Sequence, residues 1–444
     1  MAKKTKDSNL SLEERLEQAL IPNWDEPYKL PDNWCWLKLL SAFENCTDSK
    51  KKIQQKDYLE SGLWSVVDQG QSLVGGYTND ETMLYNGNLP VIIFGDHTRC
   101  VKYIDFNFAQ GADGVKVLRP KPFYLPKFFF YALQNVDIPN LGYRRHFPLF
   151  DKFSIPLAPL EEQQRIVEHV ESLFAKLDEA KEKAQEVVDG FETRKAAILH
   201  KAFSGELTAK WREENDVSID KWERLTLDDV ADYKKGPFGS SITKAMFVPK
   251  GENTYKVYEQ GNAIRKTLDY GSYYISQKKY EELKGFAINP GDIIVSCAGT
   301  IGEIYKLPNN CEAGVINQAL MRVRVYNNIN EMYFIHYFTG VLKGDVIDEA
   351  NGTAIKNIPP FKVLKAMNIL LPSLFEQNEI VEILERMLSK EQVAKETAET
   401  VIEQIDTMKK AILARAFRGE LGTNNPSEES AVELLKKVLS GGEN

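Results

Sequence analysis

This sequence has few cysteines, no long apolar run and no excess of basic over acidic residues. Each of these absences argues against a class of protein. Its five cysteines form no C-x-x-C pair, which argues against a disulfide framework or a zinc ribbon and favours the reducing cytoplasm. No apolar run reaches the roughly 18–20 residues needed to span a bilayer. The N-terminal stretch has no apolar segment of the kind found in secretory signals. We therefore expect a cytoplasmic protein with no membrane partner.

Motifs of enzymes are scarce as well. The chain contains neither a G-x-x-x-x-G-K-[ST] loop nor a G-x-G-x-x-G loop, the two glycine patterns that cradle nucleotide phosphates. Its five histidines form no H-E-x-x-H pair of the kind that binds zinc. The stretch NIPPF (357–361) approaches the N-P-P-[FY] motif of amino-methyltransferases, but Ile358 interrupts it, and a turn is the simpler interpretation. We expect no catalytic residue and no metal ligand in this chain.

The net charge of −8 is not spread evenly along the chain. Residues 24–155 and 211–368 each carry equal numbers of basic and acidic side chains, whereas residues 156–210 and 369–444 hold the acidic excess. An acidic protein overall can therefore still present a local basic surface on either balanced region. The acidic segments are expected to face protein rather than nucleic acid.

The sequence does contain a long internal repeat. AILHKAFSGEL (197–207) and AILARAFRGEL (411–421) agree at eight of eleven positions. The match extends backwards without a gap at a constant offset of 214, so that 157–207 aligns with 371–421 with 24 identities in 51 positions. Such a repeat predicts one structural element that is built twice.

Each copy of the repeat predicts a single long helix. Apolar residues recur alternately three and four apart, which is the heptad pattern of a coiled-coil seam. Pro159 and Pro372 precede the two helices, and Gly205 and Gly419 follow them, as helix start and stop signals do. The predicted seam consists of Ile166, Val170, Leu173, Leu177, Val187, Phe191 and Ile198 in the first copy, and Ile380, Leu384, Met387, Val401, Ile405, Met408 and Ile412 in the second.

Two matching seams in one chain can cover each other as an antiparallel coiled coil. Alanines near the middle of each copy would allow close approach of the helices; these are Ala180, Ala184, Ala394 and Ala398. The alternative is that two unrelated surface helices each pack on their own domain. The shared, gapless spacing counts against that alternative.

The remaining sequence predicts two mixed α/β (α+β) globular domains arranged around the helices with pseudo-twofold symmetry. NWCWLKL (33–39) and KWERLTL (221–227) open the two globules alike. Strands are predicted at 89–95, 114–120, 291–297 and 319–326, and helices at 125–135 and 331–342. The predicted segments are an N-terminal helical segment (1–22), a first globule (23–156), a first long helix (157–210), a second globule (211–370), a second long helix (371–421) and a flexible C-terminal tail (422–444).

Several of these stretches carry a resemblance to a known family. PLAPLEEQQRIVE (156–168), RKAAILHKAFSGELTAKWR (194–212) and LPSLFEQNEIVE (371–382) resemble the helices of type I restriction-modification system specificity subunits. VIIFGDHTRCVKYIDF (91–106), GDIIVSCAGTIGEIYKL (291–307) and VINQALMRVR (315–324) are similar to segments of the target recognition domains of that family. The resemblance covers nearly the whole chain, apart from the first ten residues and those after about 421.

The resemblance implies a non-catalytic subunit that reads double-stranded DNA. Two target recognition domains, here the two globules, each read half of a bipartite asymmetric site, and the coiled coil fixes the spacer between the halves. Two adenine methyltransferase (modification) subunits dock on the helices, and restriction/translocase subunits join them. S-adenosylmethionine, ATP and Mg²⁺ are then used by the partner subunits, and this chain binds no cofactor. Half-sites about one helical turn apart would place both readers on one face of the duplex.

Polar clusters in both globules are candidate DNA contacts. Arginine and lysine bind phosphate or guanine, and asparagine or glutamine can read adenine bidentately. The candidates in the first globule are Lys50, Lys51, Lys52, His97, Arg99, Tyr143, Arg144 and Arg145. The candidates in the second globule are Lys234, Lys235, Ser240, Ser241, Asn317, Gln318, Thr353 and Lys356.

Structural interpretations of some candidates stay open. A solvated loop explains Lys50, Lys51 and Lys52 equally well, His97 can be structural, and Asn317 with Gln318 can belong to a buried amide network. Two other functions also stay open from the residues alone. A coiled-coil adaptor that binds only proteins would show no sequence-specific DNA retention. An enzyme that modifies DNA by itself would need the motifs that this chain lacks.

Overall fold

The structure of the protein is a computed structural model that describes residues 10–112, 114–344 and 358–441. It divides into two units, one formed by Met1–Gln185 with Thr400–Asn444 and the other by Glu186–Glu399. Each unit thus combines one predicted globule with parts of both copies of the repeat, whereas the predicted boundaries separated globules from helices. Within the described residues, no helix is both long and apolar enough to cross a membrane.

Helices and strands are numbered here in chain order. The α-helices are α1 Leu12–Ala19, α2 Pro126–Asn135, α3 Leu160–Asp189, α4 Phe191–Phe203, α5 Ala209–Glu214, α6 Leu227–Val230, α7 Gln260–Arg265, α8 Gln277–Glu282, α9 Glu331–Tyr337, α10 Phe361–Ala366, α11 Leu374–Ala416 and α12 Ala431–Leu439. The strands are β1 Cys35–Lys38, β2 Phe43–Asn45, β3 Trp64–Val67, β4 Gly76–Thr78, β5 Val91–Gly95, β6 Val101–Ile104, β7 Phe108–Gln110, β8 Val115–Pro120, β9 Ser154–Leu157, β10 Glu223–Thr226, β11 Ala231–Lys235, β12 Thr254–Tyr258, β13 Tyr274–Ser276, β14 Ala287–Ile288, β15 Ile293–Ser296, β16 Ile304–Lys306, β17 Gly314–Ile316, β18 Leu320–Val325 and β19 Asn368–Leu371.

The first unit is built on an antiparallel sheet of order β2-β8-β5-β6 and a three-stranded sheet of order β4-β3-β7. All five residues of β5 are buried, as a central strand with cover on both faces requires. Helix α2 places Phe128 and Phe129 in a core that also contains Phe417 from the end of the second repeat copy. The predicted strands at 89–95 and 114–120 and the helix at 125–135 are confirmed as β5, β8 and α2.

The second unit has two four-stranded sheets, of orders β11-β18-β15-β16 and β13-β12-β17-β14. Its core joins Phe334 and Phe338 to Ile198 of α4 and to Leu384 of α11. The predicted strands at 291–297 and 319–326 are confirmed as β15 and β18. The predicted helix at 331–342 is correct in place, but α9 ends at Tyr337 and the last turn, Phe338–Leu342, is π-helical.

One arrangement is common to both units. The strand that opens each globule pairs antiparallel with the strand that precedes the long helix. β1 pairs with β9 and aligns Cys35 with Leu157, while β10 pairs with β19 and aligns Glu223 with Leu371. We call these two-stranded sheets, with the helix starts that follow them, the frame of each unit. The similar openings of the two globules therefore mark equivalent strands.

The first repeat copy is not one helix, as predicted, but two. Helix α11 runs unbroken over 43 residues, whereas the first copy divides at Gly190 into α3 and α4. Glycine is the weakest helix former after proline, costing about 1 kcal/mol relative to alanine in a helix interior. The break is slight because the Gly190 N–H still donates to the Glu186 carbonyl at 3.0 Å. At both repeat ends the predicted glycines adopt left-handed φ angles, +81° at Gly205 and +72° at Gly419.

Within each unit, segments of the two repeat copies run antiparallel. In the first unit Asp178 pairs with Lys409, and Lys181 pairs with Asp406 at 2.9 Å. Residue numbers therefore increase along one helix while they decrease along the other, as in an antiparallel pair. In the second unit Arg194 pairs with Glu391 at 2.7 Å, and the Lys395 ammonium lies 4.9 Å from the centre of the Phe191 ring. Of the predicted seam, Ile166, Val170, Phe191, Ile198, Ile380, Leu384 and Ile405 are buried, and Leu173, Leu177, Val187, Met387, Val401 and Ile412 are half-buried.

Met408 is an error in the predicted seam. Its side chain is 48% exposed, and the neighbouring Lys409 is half-buried, with its ammonium 5.0 Å from the centre of the Phe174 ring. A straight α-helix advances by 3.6 residues per turn, so a strict heptad pattern drifts off the buried face. The same drift leaves Ala180 and Ala394 exposed, and only Ala184 and Ala398 of the four predicted alanines are buried.

The prediction of a flexible tail after residue 422 is also wrong, because this segment forms α12. Its Ala431, Leu434 and Leu435 are buried in the core of the first unit. The Ala431 N–H donates to the carbonyl of Asn33 at 2.8 Å, and Ser430 caps the helix by accepting the Glu433 N–H. The spacing of the apolar residues in AVELLKKVL is that of an amphipathic helix, a signal the prediction overlooked.

Candidate nucleic-acid interface

In the first unit, a buried histidine holds the loop that carries the predicted arginines. The ring of His146 is fully buried. Its Nε2 accepts the Leu141 N–H at 3.1 Å, which leaves the proton on Nδ1 to be donated to the Asp96 carbonyl at 2.8 Å. The Phe147 N–H donates to the Asp96 carboxylate at 2.7 Å. Both ends of loop 141–146 are thereby tied to the end of strand β5.

His97 supports the exposed aromatic residue of the same loop. Its ring stacks on Tyr143 with centroids 4.8 Å apart and planes 13° apart, and its Nδ1 lies 3.2 Å from the Tyr143 carbonyl. Tyr143 nonetheless remains 87% exposed, since only one face of its ring is covered. His97 thus positions Tyr143, and the structural and functional interpretations of His97 are compatible.

Arg144 and Arg145 are exposed beside this stacked pair. Within the described part of the chain, neither side chain forms an ion pair. Guanidinium groups that are not used internally can fork onto phosphate or guanine, and a neighbouring aromatic face can stack on a base. This loop is the best-formed candidate contact surface of the first unit.

The other candidates of the first unit contribute to the fold to different extents. Arg99 has a left-handed backbone with φ +61° and donates from Nη1 to the Ile138 carbonyl at 2.8 Å. Lys51 donates to the Leu84 carbonyl at 3.1 Å and borders a cavity of about 350 Å³. Lys52 is half-buried and Lys50 is exposed. Lys50 is therefore the residue of this group most accessible to a ligand.

In the second unit, the loop after β11 meets the turn before β18. A Cβ atom on Gly236 would lie 1.8 Å from the Asn317 carbonyl oxygen, so only glycine fits there. The Gly236 N–H donates to the Leu320 carbonyl at 2.9 Å. This contact places the exposed Lys235 near the exposed Gln318. The fold thus brings together two predicted groups that are more than 80 residues apart in sequence.

The remaining candidates of the second unit differ in availability. The Lys234 ammonium lies 5.2 Å from the centre of the Phe286 ring. Asn317 is half-buried, and its Oδ1 accepts the Ala319 N–H at 3.0 Å, so one of the two lone pairs of this oxygen is already used within the fold. Ser240 is exposed and Ser241 is half-buried. Thr353 and Lys356 lie outside the described residues.

Phe238 is an exposed aromatic residue that the sequence analysis missed. It lies in the loop 236–241 and is 86% exposed. Its signal was the pattern G-P-F-G, in which an apolar residue without periodic apolar neighbours is flanked by residues of turns.

A buried tryptophan–glutamate hydrogen bond holds each globule to its long helix. Trp34 Nε1 donates to the Glu162 carboxylate at 2.8 Å in the first unit, and Trp222 Nε1 donates to the Glu376 carboxylate at 2.9 Å in the second. Both carboxylates are fully buried. These residues were missed as a pair, although the tryptophan recurs in both globule openings and the glutamate in both repeat copies.

The adjacent glutamines act in the same way in both units. Gln163 donates to the Ala158 carbonyl and accepts the Leu125 N–H, each at 2.8 Å. Gln377 donates to the Pro372 carbonyl and accepts the Asn330 N–H, each at 2.8 Å. The E-Q dipeptide of the repeat is thus part of the frame of each unit and fixes where each globule starts its helix.

Burial keeps two of the cysteines, Cys35 and Cys297, neutral. It raises the pKa of Cys35 and of Cys297 to about 12, so these thiols are protonated at neutral pH and are poor nucleophiles. Burial also lowers the pKa of His336, which favours its neutral form. Across the described ranges, no group of three or more histidine, cysteine, aspartate or glutamate side chains is arranged to hold a metal ion.

Comparison with known proteins gives consistent similarities. The family model described as type I restriction modification DNA specificity domain matches residues 39–188 and 219–404. The specificity subunit of the type I restriction enzyme EcoBI from Escherichia coli is 25% identical over 440 residues, covering 90% of this chain and 87% of the relative. That of EcoKI from Escherichia coli strain K12 is 24% identical over 306 residues, covering 65% of this chain and 64% of the relative.

Two solved structures share the fold. The HsdS subunit from Thermoanaerobacter tengcongensis superposes with a TM-score of 0.57 at 18% identity, covering 89% of this chain and 100% of the other. A chain from a study of complex assembly and conformational transition of the type I R-M system gives a TM-score of 0.61 at 19% identity, with the same coverage.

Proposed function

Since this chain belongs to the family of type I restriction-modification DNA specificity domains and is a specificity subunit of such a system, we propose that its two units read the two halves of a bipartite, asymmetric DNA site. The chain performs no catalysis in this proposal. It directs adenine methyltransferase subunits and ATP-dependent restriction subunits to their target.

The observation that carries the proposal is one frame repeated with two different exposed surfaces. Both units have the same strand pairing and the same buried tryptophan–glutamate bond. The first unit presents the exposed Tyr143 beside two arginines, whereas the second presents Lys235 and the exposed Phe238. A frame repeated in both units with a different exposed surface on each is suited to two readers of different sequences.

The repeat helices serve in this proposal as the spacer. An antiparallel coiled coil with pseudo-twofold symmetry sets the distance between the two half-sites, and therefore the number of base pairs that are not read. Ion pairs between antiparallel segments inside each unit support this role. Half-sites about one helical turn apart would present both targets on the same face of the duplex.

The same helices dock two identical methyltransferase subunits. Two identical partners need the same surface twice, and exposed residues that are identical in both copies are not explained by packing. Such pairs are Glu168 and Glu382, Lys176 and Lys390, Ala180 and Ala394, Thr193 and Thr407, and Ala197 and Ala411. The acidic excess of the two repeat copies fits contact with protein better than contact with phosphate.

The partners supply what this chain lacks. S-adenosylmethionine, ATP and Mg²⁺ belong to the methyltransferase and restriction subunits, and the assembly works on DNA in the cytoplasm. The balanced charge of residues 24–155 and 211–368 provides little affinity by counterion release. The methyltransferase subunits would therefore supply most of the phosphate contacts.

Co-expression with the cognate methyltransferase tests this function. Genomic adenines modified in those cells are mapped by single-molecule sequencing. Two short defined sequences separated by a fixed, unread spacer are the expected result. Modification without sequence preference, or modification by this chain alone, would overturn the proposal.

A further inference from the structure

Phe238 is exposed in a way that its own unit does not explain. The side chain is 86% exposed, and among the described residues no aromatic ring stacks on it. Single exposed apolar residues are common on protein surfaces, so exposure alone carries no argument. What distinguishes Phe238 is the loop that holds it and the side chains around it.

The loop that carries Phe238 is held tightly on both sides. On one side Gly236 touches the Asn317 backbone so closely that no side chain fits, and Pro237 is buried. On the other side the Ser241 N–H donates to the Phe238 carbonyl at 2.8 Å and closes a 3-10 turn. The phenyl ring therefore projects from a fixed backbone, and little backbone entropy would be lost if a ligand covered it.

The surroundings of Phe238 are suited to nucleic acid. Lys235 lies three residues before it and is exposed, with no ion pair in the part of the chain that the structure describes. Gln318, exposed on the turn that Gly236 touches, offers an amide to a base edge. An apolar ring beside a lysine and an amide matches stacked bases flanked by phosphates and base edges.

We propose that Phe238 is a wedge that inserts between two neighbouring bases of the half-site read by the second unit. The inference rests on the proposed function and deepens it, because it names a mode of reading. Apolar side chains inserted at a base step unstack it partly and bend the duplex. Pyrimidine–purine steps open most easily, so the wedge would contribute specificity through deformability as well as contact.

Tyr143, the exposed ring of the first unit, differs from Phe238 in how many of its faces are free. Tyr143 is as exposed as Phe238, but His97 covers one face of its ring at 4.8 Å. A ring with one covered face can stack on a single base, whereas insertion between two bases requires both faces. The wedge is therefore assigned to the second unit only.

The test uses the full chain assembled with its methyltransferase, on duplexes carrying the mapped site. 2-Aminopurine, which fluoresces when unstacked, replaces single bases across both half-sites. Apart from the target adenines that the methyltransferase subunits flip out of the stack, wild-type protein is expected to raise fluorescence at one step of one half-site. F238A is expected to abolish that signal and to weaken specific binding about tenfold or more, since an aromatic–base stack contributes about 1–3 kcal/mol. F238L keeps an apolar wedge and should retain most of the signal.

W24A is the matched control, because Trp24 is 88% exposed but lies outside the loop; it should change neither fluorescence nor binding. Unchanged fluorescence and affinity in F238A, with specific binding intact, would overturn the wedge alone. Loss of methyltransferase assembly by F238A in the absence of DNA would instead assign Phe238 to a protein contact and also overturn it. If the wild-type complex binds all duplexes equally, the proposed function itself fails.

Discussion

The buried ion pair between Arg212 and Glu376 should be the most vulnerable contact in the frame of the second unit. Arg212 Nη1 donates to the Glu376 carboxylate at 2.7 Å, and Nη2 donates to the Gly205 carbonyl. Thr208 and Trp222 supply the other donors to Glu376, at 2.8 and 2.9 Å. Both side chains are at least nine-tenths buried. Removing the arginine alone therefore leaves a buried carboxylate with only neutral partners.

We predict that R212M lowers the stability of the second unit by about 3–5 kcal/mol, the usual effect of removing one partner of a buried pair. The double variant R212M/E376Q should lose only about 1–2 kcal/mol of stability, because no buried charge remains unpaired. E162Q in the first unit is the matched control. Glu162 is held by neutral donors, Trp34 and Asn424, each at 2.8 Å, so neutralising it should cost about 1 kcal/mol.

Hydrogen–deuterium exchange with peptide resolution separates the two units in this measurement. Peptides covering β10 and β19 should lose protection in R212M and regain most of it in the double variant, while β1 and β9 should not change. If R212M exchanges like the wild type, or if the double variant is as unstable as R212M, the pairing of the Glu376 charge by Arg212 does not stabilise the second unit.

Three further predictions concern the readers and the tail. R144Q/R145Q should reduce the slope of log Kobs against log salt by about 2, since each phosphate contact contributes about 0.9; an unchanged slope in filter binding would remove these arginines from the interface. G236A should displace the Asn317 turn and cost about 1–3 kcal/mol, as overpacking does; it should weaken recognition of one half-site only, and equal loss at both halves would contradict the assignment. L435D should lower the free energy of unfolding of the first unit by at least about 3 kcal/mol, because Leu435 is fully buried. An unchanged melting temperature would contradict the packing of α12.

The regular elements were predictable because their signals are local. The strand around Val91–Gly95 is a continuous apolar run bounded by proline and glycine, and the helix Pro126–Asn135 begins with proline at its first position. The repeat was predictable because it is written in the sequence twice. It indicated that the two long helical segments are equivalent, whereas the equivalence of the strands before them is known from their pairing in the structure.

The errors arise where burial depends on tertiary contacts. Met408 satisfies the heptad spacing, but the packing of Lys409 on Phe174 decides which side faces the partner segment. The tail was assigned no structure, although its helix gains stability only by burying Leu434 and Leu435 in the first unit. Trp34 and Glu162 are 128 residues apart, and no periodicity links two such positions.

The candidate interface was predicted in part for the same reason. Arg144 and Arg145 were indicated by composition, and their exposure agrees with a contact role. Arg99 and Lys51 looked equivalent to these arginines in the sequence, but each donates a hydrogen bond to a backbone carbonyl. Phe238 was missed because the pattern G-P-F-G indicates a turn, and only the structure shows that the ring in this turn is exposed.

An exchange of one globule shows whether each unit reads one half of the target. Residues 227–367 lie between the two frame strands of the second unit, β10 and β19, and can be replaced by the corresponding segment of another specificity subunit. Adenine methylation is then mapped in cells that also express the methyltransferase. We predict that one half-site changes while the other half and the spacer length stay the same. A change in both halves, or in neither, would show that the exchanged segment does not read one half-site on its own.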